Sequence, residues 1–543
     1  MTTPDPLALL RSAVEETAAT IGGSKSRPTL ERPKQAGHGD FSTNAAMLLA
    51  PAARKPPREV AEALAGELRL RLGDDLTSAD VAGPGFLNLV LADRWFGEAL
   101  ARVLEAGDAW GGGSAAAPEK IDLEYVSANP TGPVHVGHAR NAAYGDAVAR
   151  ILTFDGHAVT REFYVNDHGS QIDKLGLSLQ AHARGVPVPE DGYHGEYVGE
   201  LAALIPGAAE MDARELGVAG VALNLERIRA SLLSFGAEVE VWFSERTLHE
   251  GAPSRVDEAL ATLDERGETY RSDGALWLRT TDHGDDKDRV IVRSSGEHTY
   301  FTSDLGYLLD KQSRGFDRLI LVLGADHHGY VARMKAAFRS LGGDPDKLEL
   351  LIMQFVHLVE GESGERSSMS KRSGEFVTLD DLVAEIGVDA ARWFLLARSH
   401  DTMIDLDLDL AKQESSENPV YYVQYAHARI ASVLAKAGEE RVVAAVAAAA
   451  RPEGLEPSER SLVKKLLAFP AEVDDAAARR APHRIASYAL ELAQEFTAFY
   501  RDCRVVGAEP EELESFRIAL SVAAKRTIAQ ALGLLGVSAP EAM

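Results

Sequence analysis

The chain has 543 residues, 45% of them hydrophobic, enough for two to four domains with sizeable cores. No run of about 18 apolar residues appears, and the opening stretch, with Asp5, Glu15 and Glu16, has neither the basic start nor the apolar block of a signal peptide, so a soluble cytoplasmic protein with no membrane partner is expected. The single Cys503 excludes internal disulfides and a cysteine-based zinc site. The net charge of −26 sits badly with a nucleic-acid partner, but residues 451–543 hold 12 Lys and Arg against 14 Asp and Glu, so −24 lies in the preceding 450 residues. Basic sites at Arg54-Lys55, Arg58, Lys464-Lys465, Arg479-Arg480 and Lys525-Arg526 could hold phosphates, or could each be a solvated helix face.

Residues 1 to about 115 read as amphipathic helix, a Gly/Asp-containing middle, a helix at Pro57–Leu72 and a strand at Phe86–Leu91, an α+β unit closed by a Gly-rich linker over 111–118. From 119 to 385, strands alternate with helices, which predicts an α/β domain built on a Rossmann-type, doubly wound parallel sheet with its ligand crevice at the strand ends. A helical and strand-containing insertion, about 180–295, separates the two halves. From 386 to 543 the pattern is nearly all helical, with breakers at Pro452 and Pro457, and predicts a bundle.

Within the α/β region, a strand-like stretch over 121–126 runs into Ser127-Ala-Asn-Pro-Thr-Gly-Pro-Val-His-Val-Gly-His138 and then a helix from Ala139 to Leu152. A helix N-terminus after a Pro/Gly turn favours an anion such as a triphosphate, and His135 and His138 add donors. Gly137 would let a flat base approach the backbone. A buried turn whose histidines merely satisfy backbone groups is the alternative. A second polar stretch, residues 362–375, contains Met369-Ser-Lys-Arg372 and reads as a mobile loop able to close Lys371 and Arg372 over phosphates, or as a solvated basic loop. Tyr300 and Asp304 are four apart, one face of a helix, where a ring and a carboxylate could meet a planar cation; an exposed helix pair is the bland reading. Asp326-His327-His328 has the residue types of a metal site, but no second His/Cys cluster at metal spacing accompanies it, so no metal ligands are assigned. Tyr421, Tyr422, Gln424, Tyr425, His427 and Arg429 fall on one helix and offer rings for stacking and donors for base edges, although tyrosines at helical spacing are more often core.

Taken together, six segments resemble the bacterial-type arginyl-tRNA synthetases, in that family's order and over essentially the whole chain. They are 39–46 (Gly-Asp-Phe-Ser-Thr-Asn-Ala-Ala), 127–138, 164–171 (Tyr-Val-Asn-Asp-His-Gly-Ser-Gln), 300–304, 324–330 and 418–429. The resemblance implies a class I synthetase that activates L-arginine with ATP and Mg2+ and transfers it from arginyl-adenylate to the 2'-hydroxyl of tRNA(Arg), typically with tRNA bound before activation. It places ATP handling and catalysis at His135, Gly137, His138, Gly324, Asp326, Met369, Ser370, Lys371 and Arg372. Arginine binding falls to Glu124, Ser127, Asn129, Tyr300, Asp304 and His327, and anticodon contacts to the helix residues just named. It also implies an N-terminal domain for the outer corner of tRNA, and a monomer. Ser368 stands where the family's loop motif often has Lys, Gly132 where some relatives carry a compensating Lys, and Asp389-Ala-Ala-Arg392 where Asp-Ala-Leu-Arg is usual. A nucleotidyltransferase of the same superfamily would share both ATP motifs without needing segment 418–429, and a non-catalytic tRNA-binding relative would have lost His135, Gly137, His138, Lys371 or Asp304.

Overall fold

The computed structural model describes residues 5–22, 28–33, 37–325, 329–360, 365–367, 377–448 and 450–543. Met369, Ser370, Lys371 and Arg372, with Ser368, and Asp326 and His327 lie outside the described residues.

Five short segments, Lys120–Glu124, Ala158–Val165, Val241–Ser244, Arg318–Gly324 and Leu348–Met353, form one parallel sheet. Numbered along the chain, they lie side by side in the order fifth, fourth, first, second, third. The direction of winding therefore reverses between Lys120–Glu124 and Arg318–Gly324, and a crevice opens there at the carboxyl ends. Ile121, Leu123, Phe163, Ile320 and Val322 are buried, as expected of strands covered by helices on both faces. Val241–Ser244 falls inside the range read as an insertion but pairs with Ala158–Val165 as the sheet's edge. Four residues with no repeating pattern carried no signal for that role. The rest of the insertion is helical, with a separate antiparallel sheet of Thr269–Ser272, Ala275–Leu278 and Arg289–Val292.

The N-terminal unit packs the helix Pro57–Leu72 on a four-stranded antiparallel sheet, with Pro6–Gly22 packed on that helix and on Ala45–Ala53. Gly39 has φ of 80° there, and a Cβ on it would stand 2.6 Å from the Leu89 carbonyl oxygen, so segment 39–46 requires glycine for close backbone approach. The next residue, Asp40, accepts from Leu91 N and receives Arg460 and Lys464, each at 3.0 Å. That segment therefore pins the N-terminal unit to the bundle. Lys465 pairs with Glu491, Arg480 with Glu349 and Lys525 with Glu541, so several of the basic pairs read as phosphate holders are already neutralised; Arg54, Lys55 and Arg58 stay exposed. Just before the stretch read as a linker, Trp110 Nε1 donates to the Leu466 carbonyl at 3.1 Å; within that stretch Gly111 is buried and residues 113, 114 and 116–118 are exposed.

The bundle comprises Pro419–Ala437, Glu439–Ala448, Pro457–Leu467, Phe469–Ala478, Pro482–Asp502 and Glu511–Leu535. It is preceded by a short strand, Ile404–Asp407, that runs parallel to Val356–Glu360, where an all-helical continuation is expected from the sequence. Ile404 and Leu406 point in while Asp405 and Asp407 point out, a period-two signal too short to stand out. Arg392 ties three regions together. Fully buried, it donates to Leu535 O at 2.8 Å, to Phe235 O at 3.0 Å and to Asp146 Oδ2 at 2.5 Å. Asp389, three residues earlier, accepts from Ser538 N at 2.9 Å and from Gln424 Nε2 at 2.8 Å. The Asp-Ala-Ala-Arg motif is thus a structural clamp.

Candidate active site

The crevice is a cavity of about 1400 Å³, larger than the 300–1,000 Å³ typical of single-ligand pockets and roomy enough for two substrates. Glu124, Ser127, Asn129, His135, Gly137, His138, Asp304 and Gly324 all line it. Segments far apart in sequence meet because each lies at a strand end or at the start of the following helix.

After Lys120–Glu124 the backbone reverses through Val126 (φ 70°) and Ser127 (φ 38°). A left-handed conformation is costly for a β-branched residue, on the order of 1–3 kcal/mol, and such strain concentrates at functional sites. Its result is visible in the side chains. Ser127 Oγ turns back to donate to Glu124 Oε1 at 2.9 Å and accepts from Tyr164 N at 3.0 Å. Asn129 Oδ1 accepts from Asn166 Nδ2 at 3.1 Å. The following loop is held by Asn224, which donates to the carbonyls of Pro130 and Gly132 at 3.0 and 2.7 Å.

His135 caps the helix Val136–Asp155, its Nδ1 accepting from Gly137 N at 3.0 Å. The other ring nitrogen is thereby left to carry the proton and act as a donor. Burial lowers the pKa of the ring, favouring the neutral tautomer. His138 lies beside it, ring centroids 4.0 Å apart. The helix's first N–H groups are not open to an anion, as a bare N-terminus would be. Val136 N donates to Val377 O at 2.9 Å, and His138 N and Ala139 N both reach His135 O. Any anion at this point would therefore have to be met by side chains. A Cβ on Gly137 would sit 2.8 Å from the His135 ring, so glycine serves the cap. Gly137→Ala should displace the imidazole and lower kcat by on the order of a hundredfold, as misplacement by about 1 Å does, with little change in substrate KM; steady-state kinetics checks this.

The segment that follows the second motif is tied to the first. Val134, Val136, Val377 and Leu379 exchange backbone hydrogen bonds at 2.7–2.9 Å, with His135 opposite Thr378. Thr378 then caps Leu379–Ile386 in a capping box with Asp381. Lys371 is six residues before Val377 in the chain.

Asp304 and Tyr300 share the helix Tyr300–Ser313 but not a destination. Asp304 faces the cavity, whereas Tyr300, the first helical residue, is 73% exposed and does not line it. Burial pushes the Asp304 carboxyl up to about 7, with Glu245 and Glu124 adding to the rise and the hydrogen bond from Tyr330 opposing it. Glu124 is also raised, first by burial. Two carboxylates in one desolvated pocket call for a cation. Three tyrosines, Tyr164, Tyr307 and Tyr330, line the same cavity, and Lys311, Glu162 and Asp122 lie beneath it in a buried ion network. Sequence reading missed these residues, since buried charges of opposite sign some 190 positions apart leave no local pattern.

Among the described residues, the one group with metal-type ligands is His168, Glu245 and His249. The two imidazoles stack with planes 10° apart and centroids 4.0 Å apart. Nearly parallel rings have no common in-plane point for one ion, so this geometry does not suit a metal.

On the helix Pro419–Ala437, Gln424 and His427 are buried: Gln424 holds Asp389 and Ser538, and His427 Nδ1 contacts Pro540 O at 2.8 Å. Tyr422 turns inward to Thr497. These three of the six expected anticodon residues thus anchor the chain's last residues and the bundle. The 3.6-residue period puts Tyr421, Tyr425 and Arg429 on the outer face instead. Tyr421 and Tyr425 stack at 6.1 Å and 7°, and the Arg429 guanidinium lies 4.6 Å from the Tyr425 ring and 5.6 Å from that of Tyr500. Tyr500, from another helix, was not legible as a member of this ladder.

A parallel sheet with this winding order, a His-x-Gly-His helix start at its switch point and a helical bundle behind it define a class I aminoacyl-tRNA synthetase. The same fold extends to the methionyl-tRNA synthetase of Mycobacterium tuberculosis, with a TM-score of 0.54 and 15% identity over 77% of this chain and 91% of that one. Residues 8–91 match the arginyl tRNA synthetase N terminal domain, residues 101–186 and 243–431 the class I (R) tRNA synthetase catalytic domain, and residues 423–543 the DALR anticodon binding domain. The arginine–tRNA ligase of Frankia alni is 48% identical, covering 95% of this chain and 94% of its own, and that of Kineococcus radiotolerans is 45% identical over both full lengths. The arginyl-tRNA synthetase of Thermus thermophilus superposes with a TM-score of 0.76 at 24% identity, over 99% of this chain and all of that one. The chain belongs to the arginyl-tRNA synthetase family.

Proposed function

We propose that the crevice ligates L-arginine to tRNA(Arg) in two steps and that its residues divide the work as follows. Glu124 and Asp304 pair with the arginine guanidinium, and Ser127 and Asn129, which line the same crevice, complete the arginine site. The arginine carboxylate attacks the α-phosphate of ATP, giving arginyl-adenylate and pyrophosphate. His135 and His138 donate to the phosphate oxygens, and Lys371, with Arg372, Met369 and Ser370 of its loop, closes over the leaving pyrophosphate. Gly324 and Asp326 border the adenosine. The ribose hydroxyl of the tRNA's terminal adenosine then takes the arginyl group, releasing AMP. Mg2+ enters with ATP, held by its phosphates. His327 is proposed to contribute to the arginine pocket, and Tyr300 joins it only if its side chain turns toward it when substrate binds.

One observation carries this reading: two carboxylates with raised pKa, Glu124 and Asp304, line the same cavity as the His135–His138 pair. It is tested by replacing His138 with Ala, which should lower kcat by on the order of 10²–10³ and leave arginine KM within about threefold. A proportionate rise in arginine KM would instead put His138 in the amino-acid pocket.

Arginine binding also gains a pH dependence from Asp304. A guanidinium favours the ionised carboxylate, so the complex holds fewer protons than the free enzyme and affinity rises with pH. Asp304's share of that rise lies below about 7 and ends there. Arginine KM measured from pH about 5.5 upward should therefore carry a component from Asp304 that falls by up to about tenfold per unit toward pH 7, and Asp304→Asn should make the slope below 7 shallower by that component.

The ladder of Tyr421, Tyr425, Arg429 and Tyr500 is proposed to stack the anticodon. Tyr425→Ala should raise the KM for tRNA by roughly 5- to 150-fold, the range for one lost base stack of about 1–3 kcal/mol, while arginine and ATP KM stay put. The N-terminal unit, with exposed Arg54, Lys55 and Arg58, is proposed to face the outer corner of the tRNA. A cytoplasmic monomer completes the proposal.

A further inference from the structure

Beneath the proposed arginine pocket, Tyr307 stands between two carboxylates. Its hydroxyl lies 2.8 Å from Glu124 Oε2 and closer still to Glu162 Oε1. A phenol has one hydrogen, so it cannot donate to both. Glu162 is the better acceptor of the two, being held ionised by Lys311 at 2.7 Å and by Arg314 through both oxygens. With the phenolic hydrogen directed to Glu162, the 2.8 Å approach of Glu124 to the Tyr307 oxygen would bring lone pair against lone pair. Only a hydrogen supplied by Glu124 itself makes it a bond. Ser127 cannot supply it, because the Ser127 hydrogen serves the other oxygen, Glu124 Oε1.

Charge points the same way. Asp122, Glu124 and Glu162 surround Lys311, with Arg314 at the margin, so three buried carboxylates face two cations. Among the described residues, no other element packed around Glu124 brings a cation that close. The strand Ala158–Val165 adds Tyr164, the helix Tyr300–Ser313 adds Asp304, and Tyr330 and Glu245 are neutral or acidic; Arg333 acts on Asp304. One excess negative charge in a desolvated site is relieved by a proton.

We propose that Glu124 holds a proton in the arginine-free enzyme, donated to the Tyr307 oxygen, and that the incoming guanidinium expels it, so that arginine recognition is a cation-for-proton exchange set by the Glu124–Tyr307–Glu162 array. This rests on the reading of Glu124 as an arginine-pocket carboxylate. The exchange balances: one O–H bond at Glu124 breaks, its proton passes to solvent, the guanidinium donates to the ionised carboxylate, and the Tyr307 hydrogen turns to Glu124 Oε2 while Glu162 keeps Lys311 and Arg314. It also bears on specificity. A neutral ureido side chain, as in citrulline, carries no charge to expel the proton, and its carbonyl oxygen can accept from the protonated carboxyl, so discrimination against it should weaken as pH falls.

The test is titration calorimetry of arginine into the full-length enzyme at pH about 8, in buffers of different ionisation heat, which counts protons directly; there Asp304, with its midpoint about 7, is already mostly ionised. Net proton release by the wild-type enzyme, up to one per arginine, and an arginine dissociation constant still falling above 7, by up to about tenfold per pH unit, are expected. Glu124→Gln should weaken arginine binding and abolish the release. No release from the wild-type enzyme, or the same release from Glu124→Gln as from wild type, overturns the proposal. Arginine affinity unchanged in a folded Glu124→Gln enzyme would instead remove Glu124 from the arginine pocket and overturn the underlying reading. Should that variant not fold, the wild-type proton count decides alone.

Discussion

Asp304→Asn is expected to lower kcat/KM for arginine by roughly 30- to 5,000-fold while ATP KM moves by no more than about twofold. The size follows from what the change leaves behind. A guanidinium buried against Glu124 and Asp304 exchanges its water shell for charge-assisted bonds, and truncating one partner of such a pair costs about 2–5 kcal/mol. The amide adds a further loss, because its NH2 presents hydrogens toward a group that has only hydrogens to offer. Asp304 lies on the helix Tyr300–Ser313, facing a cavity that His135 and His138 border from the helix Val136–Asp155, so the ATP side should be spared. A fall in kcat/KM below about tenfold, or an equal effect on ATP, would place Asp304 outside the guanidinium site.

Arg392→Ala is expected to cost about 3–5 kcal/mol of stability, the range for removing one member of a buried ion pair. The side chain has no exposure, and its loss would strand the carbonyls of Phe235 and Leu535 in the interior and leave Asp146 Oδ2 with one cation in place of two. Asp146 keeps Arg150 at 2.7 Å, so the damage should concentrate where the catalytic domain meets the last helix. Gly536, next to Leu535, reinforces this: its φ is 67°, and a Cβ there would meet the Arg392 guanidinium, so the helix end is shaped around that group. Melting followed by far-UV circular dichroism should show the first transition lowered by several degrees, and the tRNA KM should rise because the bundle is no longer held in place. A melting curve indistinguishable from wild type would show that the clamp carries no load.

The sequence made the frame legible wherever a signal was local and repeated. Alternating strands and helices predicted the parallel sheet, and the Pro/Gly turn before His135 predicted a helix start at a strand end. Side-chain destinations were less accessible. Tyr300 and Asp304 share one helical spacing, yet only Asp304 reaches the cavity, because Tyr300 sits at the helix's open first position with no turn before it to direct the ring inward. Gln424 and His427 offered donors that looked suited to base edges, but the end of the chain folds back to receive them, a contact more than 110 positions away. Lys311 and Glu162, 149 positions apart, resembled ordinary surface charges until the fold buried them. Short elements escaped for a related reason: Val241–Ser244 and Ile404–Asp407 have four residues each, too few for a period to declare itself.

The central claim, that this pocket activates arginine and no other amino acid, is tested most directly by ATP–pyrophosphate exchange with each standard amino acid in turn, with and without total tRNA. The account predicts exchange with arginine alone, appearing when tRNA is present. Exchange with another amino acid at comparable rate, or none with arginine in either condition, would contradict it.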